Sequence, residues 1–166
     1  MPGILTHINR SNGGLPKLVV SAPVVLTPEG LEGDRHRNLK YHGGPDKAVL
    51  MLAAEHLEYL KQKGFAVFPG ALGENLTVSG LDPARWRSGQ RYRLGDDPII
   101  ELTTLRVPCL NLDVYDPAIK TELYDAACKA GNPDSPNWAR GGFYARVIRA
   151  GLLVPGAPVT LESEMA

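Results

Sequence analysis

The chain has 166 residues, 43% of them hydrophobic and 22% charged, and its formal net charge is zero. That length suits a single domain, 1–166, with a core large enough to fold without disulfides or metals. Balanced charge gives no global attraction to nucleic acid or to an acidic membrane, so any anion-binding surface must be local.

The start, MPGILTHINR, lacks the basic-then-apolar pattern of a secretory signal. No run approaches the roughly 18 apolar residues that cross a bilayer. With Cys109 and Cys128 the only cysteines, free thiols in a reducing, cytoplasmic setting are expected rather than a disulfide framework.

In chain order, Ile4 to Ile8, Leu18 to Val20 and Val24 to Leu26 read as short strands, and Ala48 to Leu52 is a further apolar run. In the next segment, AAEHLEYLKQKG, Ala53, Leu57 and Leu60 fall at helical spacing and Gly64 is placed to end the helix. Strands resume at Leu76 to Val78, Gln90 to Leu94 and Ile99 to Thr103. A second helix is expected over Thr121 to Ala130, closed by Gly131, and a long loop over residues 130–142. Phe143 to Ile148 and Pro158 to Leu161 complete the strands. Many short strands punctuated by Gly and Pro, with two helices, point to a mainly β, barrel-like fold.

Four clusters could carry chemistry. Gly33-Asp34-Arg35-His36 and Tyr41-His42-Gly43-Gly44-Pro45-Asp46-Lys47 combine glycines, whose amides can approach an anion, with the charges of Arg35, His42 and Lys47. The alternative is a tight turn with solvated charges; a zinc site from His36, His42 and Asp34 lacks further ligands at suitable spacing. The turn before Glu74-Asn75-Leu76 delivers Asn75 to a strand mouth, where its amide could read a ligand edge or bond its own turn. In Arg106-Val107-Pro108-Cys109, Pro108 fixes the backbone and Arg106 could favour a thiolate, a soft ligand for a thiophilic metal or a carrier of sulfane sulfur. A buried structural cysteine is the competing reading, and it is the favoured one for Cys128. Arg140 and Arg146 flank Gly141-Gly142-Phe143-Tyr144-Ala145; they are candidate anion contacts, or charges on a solvated edge strand.

Taken together, G-L-E-G-D-R-H at Gly30 to His36, H-G-G-P-D-K-A at His42 to Ala48, L-G-E-N-L at Leu72 to Leu76, R-V-P-C-L-N-L at Arg106 to Leu112 and Y-A-R-V at Tyr144 to Val147 closely resemble the MOSC domain. That family is named for the C-terminal domain of molybdenum cofactor sulfurases, and the resemblance to its small stand-alone bacterial members runs from about Ile4 to Leu161. It implies a barrel of the MOSC/pyruvate-kinase-barrel type with a few short α-helices. It also implies that Cys109 is the functional cysteine, ligating the molybdenum of a molybdenum–pterin cofactor. His42, Gly43, Gly44, Lys47, Asn75, Arg106, Arg140 and Arg146 are the expected cofactor-binding residues.

Two activities follow from the resemblance. One is a molybdenum-dependent reductase of N-hydroxylated compounds. The other is a non-catalytic sulfur carrier or cofactor-binding module working through a Cys109 persulfide. The chain shows no pyridoxal-phosphate domain and no ferredoxin-like extension, so pyridoxal phosphate is not expected. Electrons or sulfur would come from a separate donor protein.

Overall fold

The computed structural model describes residues 2–35 and 44–163. The first elements are β1 (Gly3–Arg10), β2 (Leu18–Val20), β3 (Val24–Thr27) and the two-residue β4 (Gly30–Leu31). After them come β5 (Val49–Ala53), α1 (Ala54–Gln62), β6 (Leu76–Ser79), β7 (Arg91–Leu94) and β8 (Ile99–Leu105). The chain continues through α2 (Ile119–Leu123), α3 (Ala126–Lys129), β9 (Phe143–Arg149), β10 (Gly151–Leu153) and β11 (Pro158–Ser163). Among the described residues no helix is long and apolar enough to cross a membrane.

The main sheet runs β11-β7-β8-β9-β5-β6-β1-β2, and the pairing of β1 with β11 closes the first seven of these into a barrel. The expected barrel-like, mainly β fold is the one observed. Closure removes free sheet edges from those seven strands, leaving β2 outside as an appendage of β1. All the barrel pairings are antiparallel except β5 with β6, where Met51 faces Leu76. A parallel pair needs a crossover, and α1 with the turn-rich segment after it supplies one. A second, small sheet runs β10-β3-β4.

β5 explains how the barrel and its outer layer are joined. All five of its residues are buried, as expected of a strand covered on both faces. Val49, Met51 and Ala53 belong to the barrel core with Leu5, Ile8 and Phe143. Leu52 belongs to a second core with Leu57 and Leu60 of α1, and with Leu112, Ile119 and Leu123. Burying each such side chain stabilises the fold by about 1.5–3 kcal/mol.

Two sequence readings need correction. The single helix expected over Thr121 to Ala130 is two short ones. Tyr124 is extended, and Asp125 starts a new helix by accepting the Cys128 amide (2.8 Å) on its carboxylate. The strands β4 and β10 went unread because two or three residues carry too little pattern. Cys128 is buried, as expected, and both cysteines are free thiols.

The candidate Cys109 pocket

Cys109 is held by what lies on either side of it. Beyond the end of β8, the Arg106 amide donates to the Gly142 carbonyl (2.9 Å). Gly142 has φ +96°, and a Cβ there would meet the Met51 carbonyl at 2.9 Å, so only glycine lets this loop pass so close to β5. Cys109 itself is extended (φ −117°, ψ 172°) and opens a 3-10 turn, Leu110–Val114. Leu112 of that turn is fully buried in the second core, anchoring the segment, while Cys109 stays half-buried and free.

The thiol borders a pocket with about 580 Å³ of empty space, its open mouth included. Lys17, Arg35, Lys47 and Arg106 bring positive charge to it, while Leu15, Leu50 and Leu72 provide apolar wall. Arg106 is buried; its Nη1 donates to the Gly141 carbonyl (3.3 Å), and its buried Nε has no hydrogen-bond partner among the described residues. Tyr144, from β9, also lines the pocket, and the Lys47 ammonium lies 5.1 Å from its ring centroid. Burial, reinforced by Cys109 and opposed by Arg106, holds the Tyr144 phenol pKa above its ordinary value, so the phenol stays protonated at neutral pH.

A buried polar layer backs the pocket wall. The Lys17 ammonium sits 2.6 and 2.8 Å from the two Asp34 carboxylate oxygens. Asp34 also accepts the Ser11 amide (2.9 Å) and the Asn75 side-chain amide (3.0 Å). Asn75 Nδ2 donates a second time, to the Asn9 carbonyl (3.3 Å), and its Oδ1 accepts the Leu50 amide (3.1 Å). Glu74, fully buried, ties the preceding turn by accepting the Gly70 and Leu72 amides (3.0 and 3.2 Å) and the Thr77 hydroxyl (3.1 Å). Burial nevertheless pushes its pKa up to about 7.

Four expected site residues therefore meet at one pocket: Lys47, Asn75, Arg106 and Cys109. His42 and Gly43 lie outside the described residues, as does His36 of the zinc alternative. Among the described residues no cluster of three His, Cys, Asp or Glu could hold a metal ion. Gly44 is described but sits on an exposed turn outside the pocket lining.

Arg140 and Arg146 are not brought to the pocket. Arg140 Nη1 donates to the Glu122 carbonyl (2.9 Å) and to Asn137 Oδ1 (2.6 Å), and its guanidinium stacks 3.9 Å from the Tyr59 ring centroid. Arg146 pairs with Asp46 and Glu101, each at 3.5 Å, with nearly half its side chain exposed. The sequence reading left Lys17 and Tyr144 out of the site, and it named Arg35 only as a nearby charge. For Lys17 a signal existed: Gly13-Gly14-Leu15-Pro16-Lys17 has the same ingredients as Gly43-Gly44-Pro45-Asp46-Lys47.

Comparison with known proteins places this geometry. The sequence pattern of the MOSC domain matches residues 38–160, well over half of the chain. The protein belongs to the MOSC domain family. Among MOSC-related proteins, YflK of Bacillus subtilis, an uncharacterised protein, is 35% identical over 153 residues, covering 90% of this chain and 63% of YflK. YiiM of Escherichia coli is 31% identical over 157 residues, covering 92% of this chain and 65% of YiiM. This chain thus spans a little under two thirds of the length of these two relatives. A Gibberella moniliformis protein named as a reductase is 26% identical; the match covers 96% of this chain and 29% of that protein. The crystal structure of YiiM from Geobacillus stearothermophilus superposes with a TM-score of 0.72 at 27% identity, covering 98% of this chain and 76% of that one.

Proposed function

We propose that this MOSC protein binds a molybdenum–pterin cofactor in the Cys109 pocket and reduces N-hydroxylated compounds. The observation that carries the reading is the pocket's donor set: a half-buried free thiol together with Lys17, Arg35, Lys47 and Arg106. A thiolate is a soft ligand suited to such a metal. The cations suit the cofactor's phosphate, and the unpartnered Arg106 Nε–H is a buried donor that an oxyanion would satisfy. Leu15, Leu50 and Leu72 suit a flat heterocycle. The residues present therefore fit the group. The reductase among the relatives agrees with redox chemistry.

When bound, the molybdenum centre would supply the two-electron chemistry that, with two protons from solvent, converts an N–OH group to N–H and water. The chain supplies placement and charge. Cys109 ligates the metal, held in place by Pro108 and the buried Leu112. Lys17, Arg35, Lys47 and Arg106 offset anionic charge, and Tyr144 walls the site as a neutral phenol. The two electrons would come from a separate donor protein.

The test is turnover of a hydroxylaminopurine to the amine by cofactor-loaded protein with a reduced electron donor. Turnover that vanishes in Cys109→Ala, with the fold intact, is expected. Absence of turnover together with sulfane sulfur on Cys109 would replace this reading with the sulfur-carrier one.

A further inference from the structure

Asp34 is a buried charge for which the reading above has no task. We propose that Asp34, braced by Asn75, is a positioning residue that fixes the Lys17 ammonium as an oxyanion hook in the wall of the Cys109 pocket. That the oxyanion is a cofactor phosphate rests on the proposed function; the hook itself rests on the geometry.

The Lys17 and Asp34 side chains are 9% and 2% exposed. A lysine buried this deeply needs a partner to keep its charge. Two of its three N–H groups are directed at the Asp34 oxygens, which leaves the third for a ligand, and Lys17 is one of the residues that line the pocket. Asp34 cannot swing, because its oxygens also accept the Ser11 amide and the Asn75 side chain. Both Asn75 amide protons are spent, on Asp34 and on the Asn9 carbonyl. Asn75 therefore lines the pocket without a free donor, and it acts on a ligand through Asp34 and Lys17.

The main chain is fixed as well. The Lys17 amide donates to the Gly70 carbonyl (2.9 Å). A Cβ on Gly70 would stand 2.0 Å from the Lys17 carbonyl oxygen. A hook anchored at both its backbone and its head group is organised before the ligand arrives, so little side-chain entropy remains to be lost on binding. A purely structural ion pair buried in this way would contribute little net stability.

The test uses inorganic sulfate, whose charge is constant near neutral pH, titrated calorimetrically into the full chain made without the cofactor. Wild type should bind sulfate, and K17M and D34N should each weaken binding about tenfold or more, the worth of a charged hydrogen bond. D34N should have less than about a twofold further effect in the K17M background, since residues acting through one contact are not additive. D34E guards against misfolding. It keeps a carboxylate beside the ammonium but displaces it by a methylene, so a cooperatively folded D34E chain should lose affinity about tenfold. No sulfate binding by wild type overturns the hook. So does D34N or D34E binding sulfate as tightly as wild type, or D34N and K17M losses that multiply. Molybdenum content plays no part in these outcomes, so the hook and the proposed function fail separately.

Discussion

Replacing Glu74 by Gln should turn a stability profile that is flat in mild acid into one that climbs with pH. Two groups, the fully buried Glu74 and the half-buried His56, pull in opposite directions. Burial raises the Glu74 carboxyl from 4.5 to about 7. The folded protein then keeps a proton that the unfolded chain releases, and the associated stability is lost as pH rises from 4.5 through 7. Burial, followed by the charge of Arg140, lowers His56 from 6.5 to about 4. Here the unfolded chain takes the proton, so stability is lost as pH falls from 6.5 through 4. Each displacement is worth about 3 kcal/mol when complete. Where the two ranges overlap, slopes of about 1.4 kcal/mol per pH unit oppose each other. Denaturant unfolding at steps across that overlap reads the slope rather than the level, so an overall loss of stability in a variant does not obscure it. Wild type should stay nearly flat, Glu74→Gln should gain roughly 2–3 kcal/mol from the acid end to the neutral end, and His56→Gln should lose a similar amount. A Glu74→Gln profile parallel to wild type would refute the opposed titration of these two groups.

Other outcomes follow from single contacts. Gly70→Ala places a Cβ 2.0 Å from the Lys17 carbonyl at a residue with φ +91°; chemical denaturation should show a loss of about 3 kcal/mol or more. Arg140→Ala removes the bonds to Glu122 and Asn137 and the stack on Tyr59. It should cost about 1–3 kcal/mol in an unfolding titration, while sulfate affinity stays at the wild-type value. In native protein an alkylating reagent should modify Cys109 quickly and leave Cys128, only 3% exposed, protected until unfolding. Equal rates at the two thiols, followed by peptide mass spectrometry, would contradict the accessible placement of Cys109.

The strands other than β4 and β10, and α1, were readable because their pattern is local: Leu57 and Leu60 repeat at helical spacing, and Gly64, at φ +99°, ends the helix. The break between α2 and α3 was also local, since Asp125 before Ala126-Ala127-Cys128 is a helix cap, but the apolar run across it hid the signal. The pocket was legible in part, because Lys47, Arg106 and Cys109 sit in short motifs with unusual residue types. For Asn75 the sequence leaves two readings open, a ligand edge or local bonds; the structure puts it at the pocket with its amide bonded to Asn9, Leu50 and Asp34. Arg140 and Arg146 show what charge alone leaves open. An arginine that grips a ligand and one that braces a loop look alike until the partners arrive, here Glu122 and Asn137 for one, Asp46 and Glu101 for the other.

The central claim is that Cys109 ligates molybdenum in a pterin-bearing pocket. Elemental analysis of the protein purified from a host that makes the cofactor tests it most directly, with Cys109→Ser as the comparison. Near-stoichiometric molybdenum in wild type, lost in a Cys109→Ser chain that melts normally, is the predicted result. Wild-type protein without molybdenum, or a Cys109→Ser chain that retains it, would contradict the account.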